Sequence, residues 1–138
     1  MDGETWDVLV VVHAFIRQPM LYMSLGEHGS GNWLGLADES ASRFPTLISD
    51  DPLICAVWAG DLTGNGAEDL YFVNYRENSG GGTAKDFLLI NDGTGHFIDD
   101  GEARMGNLRN SAFGTAGQIH DMDGDGDLDL IKNRTLYD

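Results

Sequence analysis

Apolar residues in this chain come in short runs, broken by glycine, asparagine and aspartate. No stretch keeps a 3.6-residue apolar period over the length of a helix, so little helix is expected. Runs rich in β-branched and aromatic residues between turn signals read as strands. Asp7–Ala14 reads as a strand buried on both faces. Met20–Ser24 and Trp33–Leu36 follow, separated by Gly26-Glu-His-Gly-Ser-Gly31. Ile54–Ala59 runs into a polar acidic segment, and Leu70–Asn74 leaves it. Glu77–Thr83, with its three consecutive glycines, is a connection. Asp86–Ile90 is a strand, Asn91-Asp-Gly-Thr-Gly95 a hairpin turn, and His96–Ile98 the return. Thr115–His120 runs into a second acidic segment and Leu130–Leu136 leaves it.

The second acidic segment is Asp121-Met-Asp-Gly-Asp-Gly-Asp-Leu-Asp129, with an aspartate at every second position. Carboxylates crowded this way repel, and a hard divalent cation removes the repulsion. Calcium takes six to eight oxygens at about 2.3–2.6 Å, so a short loop must turn several oxygens onto one point. Asp121, Asp123 and Asp125 do so if the backbone curls, which Gly124 and Gly126 permit. Asp129 closes the site from the far side, and the seventh residue, Asp127, offers its carbonyl.

The first acidic segment has the same frame. In Asp61-Leu-Thr-Gly-Asn-Gly-Ala-Glu-Asp69, oxygen-bearing side chains fall at Asp61, Thr63, Asn65 and Asp69, and Gly66 matches Gly126. Ala67 holds the seventh, carbonyl-donating place. With Thr63 and Asn65 uncharged, this loop is expected to bind calcium more weakly. A worn third copy opens the chain, where Asp2-Gly-Glu-Thr-Trp-Asp7 runs into Val8–Val12. An EF-hand is excluded, because that loop needs a bidentate Glu at position twelve between helices. Here the twelfth residues are Lys132 and Phe72, and strand-forming residues follow each loop.

A period near sixty residues, with one acidic loop and several short strands per unit, predicts a modular all-β array. One unit reads strand, acidic loop, strand, connection, strand, tight turn, strand: a four-stranded antiparallel blade of the kind that builds a β-propeller. The expected division is an incomplete blade over 1–52, a complete blade over 53–111 and an incomplete blade over 112–138. The chain therefore reads as about two blades plus part of a third. Open strand edges recruit other strands, so contacts with further blades or with copies of the chain are expected.

Composition narrows the function classes. The formal net charge of −15 argues against nucleic acid, whose phosphates need Lys and Arg, and against docking on anionic membranes. No apolar stretch approaches the roughly 20 residues of a membrane helix, and the acidic start lacks the basic region of a signal peptide. Cys55 is the one cysteine, so no internal disulfide forms; its apolar surroundings predict a buried small hydrophobe. Calcium loops of modest affinity suit millimolar calcium, which places the protein outside the cell or on its surface, with any export signal outside this segment.

Other chemistry is thin. His13, His28, His96 and His120 have no second His or Cys at zinc-ligand spacing. No nucleophile elbow or phosphate-binding glycine loop occurs. Asp99-Asp100 and Asp50-Asp51 could pass for a glycosidase carboxylate pair, but strand neighbours point to opposite faces. Trp58 reads as core, and Trp33, after a glycine-rich turn, as an exposed platform; Trp6 is a third tryptophan. Asn133-Arg-Thr135 has the pattern of a glycosylation sequon.

Asp121–Leu130, preceded by Phe113-Gly-Thr-Ala-Gly-Gln-Ile-His120, resembles the FG-GAP/VCBS repeat of integrin-α-like propellers. Leu88-Leu-Ile-Asn-Asp-Gly-Thr-Gly-His-Phe97 resembles the hairpin of that repeat, and Met20–Gly26 with Trp33 is a looser copy. The resemblance implies a propeller with calcium between the first two strands of a blade. It implies roles in adhesion, ligand binding or scaffolding toward a protein or glycan ligand, without catalysis here. The alternatives are a secreted carbohydrate-active enzyme or lectin, and a self-assembling structural protein.

Overall fold

The computed structural model describes residues 8–11, 18–29, 31–47, 52–75, 85–110 and 114–133. Asp2–Asp7, His13, Asp50-Asp51, the 77–83 connection and everything after Asn133 lie outside them.

The described chain is all-β and antiparallel, with only short helical turns. Its centre is a four-stranded meander of β6 (Ile54–Gly60), β7 (Asp69–Asn74), β8 (Phe87–Asn91) and β9 (Phe97–Asp99), hydrogen-bonded in chain order. Before it come β1 (Val8–Val11), β2 (Met20–Ser24) and β5 (Leu36–Asp38), which form a three-stranded sheet. After it, β10 (Gly117–His120) and β11 (Asp129–Lys132) form a hairpin. The three sheets stack in sequence order, because the central one is apolar on both faces.

Alternation along the central strands explains the stack. Leu70, Phe72, Phe87 and Leu89 face the first sheet and bury with Leu21 and Met23, joined by Phe44 edge-on to Phe72 and Phe97. Tyr71, Val73, Leu88 and Ile90 face the other way, against Ile119 and Leu130 of the hairpin. Every residue of β7 is buried. Each large apolar side chain removed from water in this way contributes about 1.5–3 kcal/mol. The hairpin approaches so closely that a Cβ at Gly60 would stand 2.9 Å from Ile119 Cγ2 and 3.1 Å from Leu128 Cδ1, so this position needs glycine.

Three expectations change. Trp33–Leu36 is not one strand: Gly35 at φ +97° breaks it. Instead β3 (Glu27–His28) and β4 (Asn32–Trp33) make a small ribbon that projects from the β2–β5 connection. Cys55 is exposed rather than buried. It sits in a bulge where the pairing shifts between Ile54 and Ala56, and an extra residue there swings the faces. Ile54 and Val57 consequently share one side, Ala56 and Trp58 the other. Finally, β5 and β9 each run into a short helix, α1 (Ser40–Arg43) and α2 (Gly101–Met105), too brief to show in apolar periodicity. Each is spanned by an i,i+4 ion pair at the same place in its unit, Glu39–Arg43 and Asp100–Arg104.

Candidate metal centre

The loop from Asp61 to Glu68 joins β6 to β7, and that from Asp121 to Leu128 joins β10 to β11. The two are built alike, with one difference at the first aspartate, whose Oδ1 accepts from the fifth residue upstream and from the fourth downstream. The first aspartate caps the curl: Asp61 Oδ1 and Oδ2 accept Asn65 N (3.0 Å) and Gly66 N (2.8 Å), while Asp121 Oδ1 and Oδ2 accept Gly124 N (2.7 Å) and Gly126 N (3.0 Å). The last aspartate reaches back: Asp69 Oδ2 accepts Leu62 N at 3.1 Å and Asp129 Oδ2 accepts Met122 N at 3.0 Å. The fifth residue makes its own turn, Asn65 Oδ1 to Ala67 N (2.8 Å) and Asp125 Oδ1 to Asp127 N (2.9 Å). Gly64, Gly66, Gly124 and Gly126 have φ of 71°, 85°, 79° and 96°, a region costly for any side chain. Past each loop an asparagine ties the strand pair: Asn74 Oδ1 accepts Leu53 N and Asn133 Oδ1 accepts Thr115 N, both at 3.0 Å. That engagement of the Asn133 amide gives the sequon asparagine a structural task.

In the downstream loop, Asp121, Asp123 and Asp129 each bring a ligand atom within 4.8 Å of the others, a group able to hold a metal ion. Carboxylate oxygens keep lone pairs beside the N–H bonds they accept, and an oxygen-only donor set suits a hard cation. Asp125 and Asp127 lie outside this trio, exposed on the loop.

The upstream loop is differently housed. Asp69 is fully buried, its carboxylate held by Leu62 N and by Asn91 N at 2.9 Å. No cationic side chain pairs with it among the described residues. A buried carboxylate without a counter-charge is expensive, and a cation in the loop would supply one. Thr63 Oγ1 is buried with no hydrogen-bond partner, which is how an unused ligand oxygen looks. Asn65 Nδ2, by contrast, donates to Asn91 O at 2.9 Å, so the 92–96 turn roofs this loop. The residues of both loops fit a hard cation.

The other candidates separate cleanly. His28, His96 and His120 are exposed, and His96 Nδ1 meets Thr94 Oγ1 at 2.9 Å. Asp99 and Asp100 are occupied by Arg109 and Arg104 and form no acid–base pair. Trp58 packs in the core between the central sheet and the hairpin. Trp33 is 62% exposed, its Nε1 donating to Ser24 Oγ at 3.2 Å.

Sequence reasoning missed a buried polar cluster. Asp86 is fully buried and accepts Lys132 Nζ at 2.6 Å, Tyr71 Oη at 2.8 Å and Asn74 N at 3.0 Å. Burial pushes its carboxyl above the usual range against the pull of these partners, and pushes the Tyr71 phenol up as well. Lys132 belongs to β11, so this pair ties the hairpin to the central sheet. Nearby Arg109, also buried, donates Nε to Asp86 O at 2.7 Å, pairs with Asp99 and lies over the Phe87 ring. The signal was a lysine at position 132, where the matching strand of the other unit carries Phe72.

No family model, no curated protein and no solved structure matches this chain. No helix among the described residues is long and apolar enough to cross a membrane.

Proposed function

We propose that the chain is a calcium-stabilised segment of a β-propeller of the FG-GAP/VCBS kind, serving extracellular recognition, adhesion or scaffolding without catalysis. The observation that carries this reading is the duplication: one loop, built twice with closely matching hydrogen bonds, each time between the first two strands of a sheet in a stacked series. Radial stacking of such sheets is what a propeller does. Calcium suits such a loop better than magnesium, because it accepts six to eight carboxylate, carbonyl and amide oxygens in flexible geometry, whereas magnesium demands a near-ideal octahedron and keeps several waters. The test is calcium titration by calorimetry with melting in parallel. Two binding events and a higher melting temperature in millimolar calcium are expected; identical melting in chelator and in calcium would overturn the reading.

A second reading, glycan binding, has one observation in its favour, the exposed Trp33 ring fixed by Ser24 on a ribbon that the second unit lacks. Quenching of tryptophan fluorescence by a panel of neutral oligosaccharides, lost in Trp33→Ala, would support it. No quenching by any of them would remove it.

A further inference from the structure

A cleft of about 390 Å³ opens between the first and second sheets, within the size range of ligand sites. Its floor is apolar: Met23, Leu70 and Phe97. One wall is Gly66–Glu68 of the upstream loop, the other Gly93–Gly95 of the turn after β8. What matters is which polar groups remain free there. The Glu68 carbonyl accepts Asn91 Nδ2, the Asn91 carbonyl accepts Asn65 Nδ2, and the Thr94 carbonyl accepts Arg43 Nη1 at 2.8 Å. Asn91 Oδ1 accepts Gly93 N and Gly95 N, and the Thr94 hydroxyl donates to Asp92. The Glu68 carboxylate alone among these groups, exposed on the rim, has neither an ion pair nor a hydrogen bond.

An apolar floor whose other polar side chains are engaged, with one free carboxylate, does not suit a polyol, which needs many partners. It suits a long aliphatic stem ending in a cation, the shape of a lysine or arginine side chain. Charge agrees. Arg43, Arg104, Arg109 and Lys132 are all paired internally, and the chain carries −15, a field that draws cationic partners. We propose that this cleft receives a lysine or arginine side chain from a basic segment of a protein partner, with the stem on Met23, Leu70 and Phe97 and the head on Glu68. The proposal rests on the recognition role above, and does not require calcium in either loop.

The experiment titrates the ¹⁵N-labelled chain with Nα-acetyl-lysine N-methylamide and its arginine counterpart, in calcium and in chelator. Controls are the norleucine and Nε-acetyl-lysine analogues. Amide shifts are expected at Gly66, Glu68, Gly93 and Gly95, with affinity for both controls lower by about tenfold or more, the size of a lost charge-assisted contact. Glu68→Gln should lose the same factor, and Glu27→Gln, an exposed carboxylate on the ribbon, should lose none. Shifts spread equally over Asp123–Asp127, equal loss in both variants, or equal binding of norleucine would overturn the proposal. Calcium binding without these shifts would sink this inference alone, and these shifts without calcium binding would sink the metal reading alone.

Discussion

The two acidic loops share a hydrogen-bond pattern and differ in surroundings. The downstream loop has five carboxylates and stands in solvent on a two-stranded hairpin. The upstream loop has three, of which only Asp61 and Asp69 stand at ligand positions, yet its closing Asp69 is buried in a four-stranded sheet and roofed by a turn through Asn65 and Asn91. Ligand charge and preorganisation thus fall on opposite loops. Charge raises calcium affinity, while preorganisation lowers the ordering cost of binding. The comparison teaches that one motif can stand in solvent on a hairpin in one place and be scaffold-supported in another.

The largest effect should come from the tie that holds the weaker scaffold. Lys132→Met leaves Asp86 buried without a counter-charge, and a loss of about 3–5 kcal/mol is expected by urea unfolding. Asp86→Asn combined with Lys132→Met should recover most of it. The sign with pH follows from Asp86. Its folded pKa lies above the ordinary 3.8, so the folded chain holds that proton more tightly than the unfolded chain. Its contribution therefore falls as pH rises through that window, and Lys132→Met should steepen the fall. A flat pH profile in the single variant would show that the pair is not buried in solution.

Calcium comes next. At a hundred times Kd, a site present only in the folded state adds about 2.7 kcal/mol, which differential scanning calorimetry reads as a shift in Tm. Isothermal titration should resolve a tight and a loose class. Asp123→Ala is expected to abolish the tight one and Asp61→Ala the loose one; the reverse would mean that preorganisation outweighs charge.

A smaller contrast isolates the scaffold. In chelator, Asp69→Ala takes the carboxylate from Asn91 N and leaves Leu62 N only its bond to Gly60 O, and should cost about 2 kcal/mol, whereas Asp129→Ala, exposed, should cost under about 1 kcal/mol. Equal losses would contradict the burial of Asp69. Smallest of all, Asn65→Ala removes one tie to the roof and should cost about 1 kcal/mol, with upstream calcium affinity falling and downstream affinity unchanged.

Much of this was legible because strands and loops here are written locally. An apolar run ahead of a glycine-rich turn placed Met20–Ser24 correctly, and the Asn91–Gly95 turn and both acidic loops announce themselves by glycine and aspartate spacing. What was illegible is tertiary or a matter of single residues. The bulge at Cys55 exchanges faces with no composition signal. Gly35 splits what reads as one strand at Trp33–Leu36. Asp86, Lys132 and Arg109 look like ordinary surface charges until sheet stacking buries them, and the separation of Asp125 from Asp121, Asp123 and Asp129 depends on how far the loop curls.

The burial of β7 along its whole length has a consequence in time. Its amides are walled in by a sheet on either side, so their hydrogens can trade with solvent only when the whole stack opens. Among the described residues β10 and β11 pair only with each other, and a local parting of that hairpin is enough to expose them. The same chain would keep two clocks, a slow one in its middle strand and a fast one beside the downstream loop, and a cation resting there would slow the fast one alone.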